Sequence, residues 1–309
     1  MTFAIALVVA LVMTPVARRV SFALGILDRP GPLKVQREPV AYLGGAGVFV
    51  ASAAALAVAH PSWIGPLALA TALGVADDVR TISPPVRLLA QCSVGVAAGF
   101  VVPAPGPAGV IVTAAFVVVL VNAVNLLDGM DALASSVVAT SAFAFALLGG
   151  AARDPALALG GALCGFLVFN RPPARIYLGD GGSYLIGTAL ALVAATALDG
   201  QGAAAWIALP FLVAVPLADT AIAILRRARS HRPLFAGDRS HVYDQLADRG
   251  WPVARIVLVL VGVQCAAAGA GLVVWHVDAV VAAAVAFAAA VAGALVVWKV
   301  GFVEEKAAV

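Results

Sequence analysis

The sequence predicts an all-α, polytopic integral membrane protein with about eleven transmembrane helices. Three observations carry that prediction. Of 309 residues, 63% are hydrophobic and 11% charged, where a soluble domain carries about 25% charged residues; the mean hydropathy is +1.04. Such a chain cannot cover a water-facing surface. The apolar runs are continuous, without the short alternating segments of a β-barrel, and their Ala, Val, Leu and Gly suit closely packed helices. Lys and Arg fall almost wholly on one set of loops. The lipid bilayer is therefore the main surrounding; no nucleic-acid partner is expected, and a homodimer is left open.

A span needs about 20 mostly apolar residues. Eleven stretches qualify: 2–20, 43–60, 63–77, 86–103, 108–127, 132–150, 155–170, 183–199, 203–225, 253–275 and 278–299. The first has no basic residue before it and is followed by Arg18 and Arg19, which argues for a retained helix over a cleaved signal peptide. Trp63, Trp206, Trp275 and Trp298 sit near span ends as interfacial anchors. His60 and His276 read the same way. Cys92, Cys164 and Cys265 lie inside apolar runs, without metal spacing or a disulfide framework. No repeat and no soluble domain interrupt the pattern, so residues 1–309 read as one transmembrane domain. The longest polar segment is a loop at about 226–252.

The loops divide alternately. One set contains 21–42, 78–85, 128–131, 171–182, 226–252 and the C-terminal tail. With adjoining helix ends it holds 18 of the 19 Lys and Arg; Arg153 is in the other set. The positive-inside rule puts the first set in the cytoplasm, the N-terminus outside and the C-terminus inside. A miscount by one span would scramble that division.

The acidic and amide clusters share the cytoplasmic side. "GVADDVR" ends the third span with Asp77 and Asp78. "NAVNLLDGMDALA" ends the fifth with Asn122, Asn125, Asp128 and Asp131. "FNRPPARIYLGDGGS" joins the seventh and eighth and carries Asp180. "PLADTAIAILRR" places Asp219 within the ninth, and "GDRSHVYDQL" brings Asp238, Arg239, His241 and Asp244. Each has an ordinary reading as a solvated helix end or a turn, with Asp180 or Ser183 as an N-cap. Together they fit badly. Asp77 and Asp78 follow a helix, where the dipole disfavours negative charge. Asn122, Asn125 and Asp128, three apart, form a slowly drifting ladder, with Gly129 allowing the chain to turn. Amides and carboxylates beside hydrocarbon need polar partners. A magnesium ion, bound by one or two carboxylates plus substrate phosphates, supplies one. Arg29, Lys34, Arg37, Arg87, Arg171, Arg175, Arg226, Arg227 and Arg239 lie on the same side. Carboxylates, amides and cations around one cavity make a phosphate-plus-metal site.

These segments, in this order, resemble the polyprenyl-phosphate N-acetylhexosamine-1-phosphate transferases, from the first span to about residue 250. "KVQREPVAYLGG" looks like the family's first cytoplasmic loop, with Lys34 as its lysine. "DDVRTISPPVRLLAQ" looks like its aspartate pair followed by Arg87 and Gln91. "NAVNLLDGMDALA" is close to the pattern N-x-x-N-x-x-D-G-x-D-G-L, and "IYLGDGGSYLIG" to its G-D-x-G-S segment. "PLADTAIAILRRARSHRPLFAGDRSH" resembles the ninth span and the loop after it. The resemblance implies attack by a polyprenyl phosphate oxygen on the β-phosphorus of a UDP-N-acetylhexosamine, with release of UMP, at the plasma (inner) membrane. It implies Mg2+ or Mn2+ held by Asn125 and Asp180. Asp77 and Asp78 match the acidic pair near the lipid phosphate, Asp128 and Asp131 the site's other aspartates. Asn122 and Asp219 fall in matching segments as substrate contacts. Asp238, Arg239 and His241 match the loop that contacts the sugar nucleotide. Two departures stand out: Ala132 replaces a pattern Gly, and Tyr243 and Asp244 stand where many relatives have histidines. "DRSH" is nearer the UDP-N-acetylglucosamine branch than the pentapeptide-carrying one, which typically has three histidines there. An ion-coupled transporter would show repeats and midplane charges. A CDP-alcohol phosphotransferase would continue its D-x-x-D-G differently.

Overall fold

The computed structural model describes residues 1–30, 38–58, 60–80, 82–103, 106–231 and 240–303. Its helices form two compact units, Met1–Asp199 and Gly200–Val309. The first contains α1 (Thr2–Leu24), α2 (Gly44–Leu56), α3 (Ile64–Val79), α4 (Pro84–Gly99), α5 (Pro107–Leu127), α6 (Leu133–Leu148), α7 (Arg153–Asn170) and α8 (Gly179–Leu198). The second contains α9 (Ala203–Leu212), α10 (Ala214–Arg229), α11 (Val242–Asp248), α12 (Val253–Val274) and α13 (Ala279–Val300).

In the first unit α8 is the central post. It packs against α2, α3, α4, α5, α6 and α7, and of its 20 residues only Asp180, Ala195 and Ala197 escape full burial. Small residues allow this density, because lipid offers helices no hydrophobic drive to associate and van der Waals contact must substitute. A Cβ on Gly187 of α8 would fall 2.7 Å from the Val121 Cα of α5. Gly161 and Gly165 of α7 meet the backbone of α1 in the same way. A short antiparallel ribbon, β1 (Leu27–Asp28) with β2 (Val40–Ala41), precedes α2. Ala41 also bridges to Ile176 just ahead of α8.

The second unit contains a broken helix. The ninth apolar stretch, read as continuous from 203 to 225, is two helices, α9 and α10, bent by 77°. The break leaves backbone groups without helical partners, which hydrocarbon cannot satisfy. Gln264 of α12, fully buried, takes them up. Its Oε1 accepts from Val215 N at 2.9 Å, and its Nε2 donates to Leu212 O at 2.9 Å. In α13 only Ala282 is buried; its apolar circumference suits a helix facing lipid.

The architecture is all-α and polytopic. Each predicted stretch falls on a helix or, for the ninth, on the bent pair. Six helices among the described residues are long and apolar enough to cross a membrane, seven with the pair taken as one. At 13 to 16 residues, α2, α3, α4 and α6 are shorter.

Candidate active site

The polar clusters of the first unit meet where α3 and α5 end and α8 begins. The chain enters α8 through Gly179, whose φ of +73° suits glycine, and an added Cβ there would lie 2.8 Å from Tyr42 O. No side chain of α8 caps its own start. Asp78 of α3 does so: its Oδ1 accepts from Asp180 N at 2.8 Å and its Oδ2 from Gly181 N at 3.0 Å. The ordinary reading of the segment, with Asp180 or Ser183 as the cap, therefore does not apply. It also accounts for an aspartate in the last turn of α3, an unfavourable place by that helix's own dipole. The positive end of α8 offsets it.

Asp180 then points its carboxylate to α5. Asn125 Nδ2 donates to Asp180 Oδ1 at 2.7 Å and to Ser183 Oγ at 3.1 Å. The backbones are very close. An added Cβ on Gly74 of α3 would sit 2.1 Å from Asp180 O, and one on Gly45 of α2 would sit 2.2 Å from Gly182 N. Gly44 N and Gly45 N donate to Tyr177 O and Leu178 O. Four segments distant in sequence are thus clamped around Asp180.

The ladder of α5 splits among neighbours. Each step of three residues turns about 60° short of a full circle, so successive side chains reach different partners. Asn122 Nδ2 donates to Gln91 Oε1 of α4 at 2.6 Å, and Asn125 reaches α8. Asp128, just past the helix, is partly buried and accepts no hydrogen bond from the described residues. Burial, then the charges of Asp180, Asp78 and Asp131, hold its carboxyl well above the ordinary carboxylate range. Asp131 Oδ2 accepts from Ala174 N at 2.9 Å, tying down the 171–175 turn. Burial raises its carboxyl too, against that hydrogen bond. The Tyr42 phenol is pushed up by burial and then by Asp180, Asp78 and Asp128. The chain turns after α5 through Asp128–Ala132, Gly129 included, and the residue in the left-handed region is Ala132, with φ +63°. Ala132 N donates to Asn170 Oδ1 at 3.0 Å.

Asp77, beside this cluster, takes a different set of partners. Its Oδ1 accepts from Ile82 N at 2.9 Å, and its Oδ2 from Tyr184 OH at 2.7 Å and Arg87 Nη1 at 3.3 Å.

The second unit holds its own polar cluster. Asp219 and His241 are each 4% exposed. His241 Nδ1 lies 2.6 Å from Asp219 Oδ2, and Val242 N donates to Asp219 Oδ1 at 2.9 Å. His241 caps α11 in a capping box with Asp244 and stacks on Tyr243 at 5.6 Å. Lys34, Asp238 and Arg239 lie outside the described residues.

Residues 60–198 match the family model of glycosyl transferase family 4. The chain is 30% identical over 286 residues to the probable undecaprenyl-phosphate N-acetylglucosaminyl 1-phosphate transferase of Bacillus subtilis, covering 84% of this chain and 80% of that protein. The chain belongs to glycosyl transferase family 4. It is 36% identical over 176 residues to the decaprenyl-phosphate N-acetylglucosaminephosphotransferase of Mycobacterium tuberculosis, 49% of this chain and 44% of that one. It is 34% identical over 170 residues to the phospho-N-acetylmuramoyl-pentapeptide-transferase of Moorella thermoacetica, 52% and 51% of the two chains. This family 4 chain carries the whole Asp78–Asn125–Asp180 junction inside the matched residues. Sequence reasoning missed Asn170, Ser183 and Tyr184 as members of the network. The hydrogen-bond partners of Asn170 and Ser183 follow from tertiary contacts. Tyr184 follows "GDGGS" directly, and its hydroxyl reaches across to Asp77 of α3.

Proposed function

We propose that this protein transfers N-acetylglucosamine 1-phosphate from a UDP-sugar to polyprenyl phosphate, releasing UMP and leaving a polyprenyl-diphospho-sugar for cell-envelope glycan synthesis. The observation that carries this reading is the junction at the start of α8. There close packing at Gly45, Gly74 and Gly181 brings an amide and a group of carboxylates together beside the start of α8. Such a donor set suits a hard cation that substrate phosphates also bind.

The donor set fits magnesium or manganese. Asp128 has no donor among the described residues, and Asp180, Asp78 and Asp131 surround it electrostatically. Among those residues no three His, Cys, Asp or Glu side chains form a ready-made metal cage. Asp180 and Asn125 would hold the ion with substrate phosphates completing its coordination, as magnesium prefers; when bound, it would neutralise phosphate charge. The acceptor phosphate, with a second pKa near ~6, is mostly a dianion at pH 7 and hardly needs a base. Its oxygen bonds to the β-phosphorus of the donor as the bridging bond to the UMP oxygen breaks. The protein's task is to hold two anions in line. Asp78 does this indirectly, by fixing the turn that aims Asp180.

We place this chemistry on the cytoplasmic face, with eleven crossings and the N-terminus outside, on the division of Lys and Arg and the clustering of acidic groups on that side. The broken α9–α10 pair is a feature of transporters, but its freed backbone groups are held by Gln264, which leaves them unavailable to an ion. The test is purified protein with polyprenyl phosphate and a panel of UDP-sugars, scored by UMP release. UDP-N-acetylglucosamine should be the best donor. Preference for UDP-N-acetylmuramoyl-pentapeptide would transfer the protein to the other named branch, and no release with any donor would refute the reading.

A further inference from the structure

Tyr184 is 1% exposed and lies one turn beyond Asp180 on α8. Its hydroxyl donates to Asp77 Oδ2 at 2.7 Å. Arg87 donates to the same oxygen at 3.3 Å, and Ile82 N to the other at 2.9 Å. A carboxylate offers about four acceptor sites; here two donors on Oδ2 and one on Oδ1 fill three of them. A general base must reach the proton it removes. Asp77, ringed by a phenol, a guanidinium and an amide, is badly placed for that.

The guanidinium is in the opposite condition. Arg87 carries five N–H donors; it makes the long contact to Asp77 and also engages the Tyr184 hydroxyl, which leaves the rest of its N–H groups over. Its side chain is 28% exposed. Around it on the first turns of α4 are Val86, Leu88 and Leu89, exposed by 57%, 38% and 69%. In a membrane protein such apolar residues face hydrocarbon or the headgroup boundary. A cation with N–H groups to spare among them is placed to meet a phosphate arriving sideways from the bilayer.

We propose that Tyr184 is a positioning residue. Its hydroxyl engages both Asp77 Oδ2 and the guanidinium, and so keeps Arg87 from closing a two-N–H fork on Asp77 and leaves the guanidinium presented to the phosphate of the acceptor lipid. Carboxylate and guanidinium pair readily through two parallel hydrogen bonds. Remove the phenol oxygen and the guanidinium loses that partner and closes a second N–H onto Asp77, away from the lipid. Asp77 then acts through Arg87 and not as a base. This rests on the transferase reading above.

The test uses the full chain. Tyr184→Phe deletes one oxygen and keeps the ring. The KM for polyprenyl phosphate should rise about tenfold, the scale of one charge-assisted hydrogen bond. The KM for the UDP-sugar should stay within about threefold of the wild-type value, less than the loss of any one such bond. In an Arg87→Ala background, where the lipid KM is already raised, Tyr184→Phe should add nothing, because both act along one path. A structural role alone would lower melting temperature and apparent kcat, leave the lipid KM unchanged and add to Arg87→Ala; that result overturns the proposal. Equal rises in both KM values overturn it too. Should Tyr184→Phe fold poorly, Arg87→Ala at its partly exposed site decides alone, and an unchanged lipid KM refutes the assignment. Wild-type UMP release tests the underlying reaction separately from the ratio of the two KM values.

Discussion

Asp180 has its backbone fixed by Asp78 and its carboxylate by Asn125, so replacing one oxygen should cost chemistry before it costs fold. Asp180→Asn is expected to lower UMP release by at least about a hundredfold, the scale of one lost transition-state charge contact, with the melting temperature nearly unchanged. Near-normal turnover at limiting magnesium would make Asp180 a structural residue only. Ala132 offers the reverse case. It holds φ +63° at a site where an L-residue costs about 1–2 kcal/mol. Ala132→Gly should raise stability by about 1 kcal/mol, read as a higher melting temperature in detergent. His241 was expected to meet the sugar nucleotide; the structure adds buried contacts to Asp219 and the cap of α11. His241→Ala should therefore cost about 3 kcal/mol of stability, because Asp219 stays buried with its Oδ2 left without the imidazole. A fully stable but inactive variant would show that substrate contact dominates. At this scale the spacing of Asn122, Asn125 and Asp128 and their cost beside hydrocarbon marked them in the sequence as polar groups in need of partners, while Asp180 stood out through its resemblance to the G-D-x-G-S segment. The capping of α8 by Asp78 was hidden, because that bond joins residues 102 apart and no local pattern encodes it.

The elements around the site are held by bare backbone and by single amides. Gly74 is the tightest point, with α3 against the first turn of α8. Gly74→Ala should force the two helices apart and cost about 3 kcal/mol, the upper range for overpacking, and activity should fall with it because Asp180 moves. Gln264 plays the corresponding part in the second unit. Gln264→Leu leaves Val215 N and Leu212 O without partners at the α9–α10 break. Each unpaired buried group costs about 1–3 kcal/mol, so the variant should melt well below the wild type; an unchanged melting temperature would mean that water enters the break. Continuous apolar runs made nearly every helix legible in advance. The bend was not legible, since the hydropathy of 203–225 is unbroken and the device that stabilises the bend lies about 50 residues later.

Across the whole molecule, the one-sided distribution of Lys and Arg ties the fold to the membrane and the membrane to the chemistry. In a background lacking Cys92, Cys164 and Cys265, Arg171→Cys and Gly106→Cys should label from opposite sides. Labelling of position 171 by an impermeant reagent on intact cells would invert the topology. The fold class was legible from composition alone. The reaction was legible only from several motifs taken together, because each alone is an ordinary turn or helix end; those at Asp78, Asn125 and Asp180 meet in the first unit. The central claim is that a sugar 1-phosphate, and not a bare sugar, crosses from nucleotide to lipid. UDP-N-acetylglucosamine labelled at the β-phosphorus measures this directly. The account predicts that the label enters the lipid fraction in step with unlabelled UMP, and that Asp180→Asn stops both. Label left in released UDP, with sugar alone reaching the lipid, would contradict it.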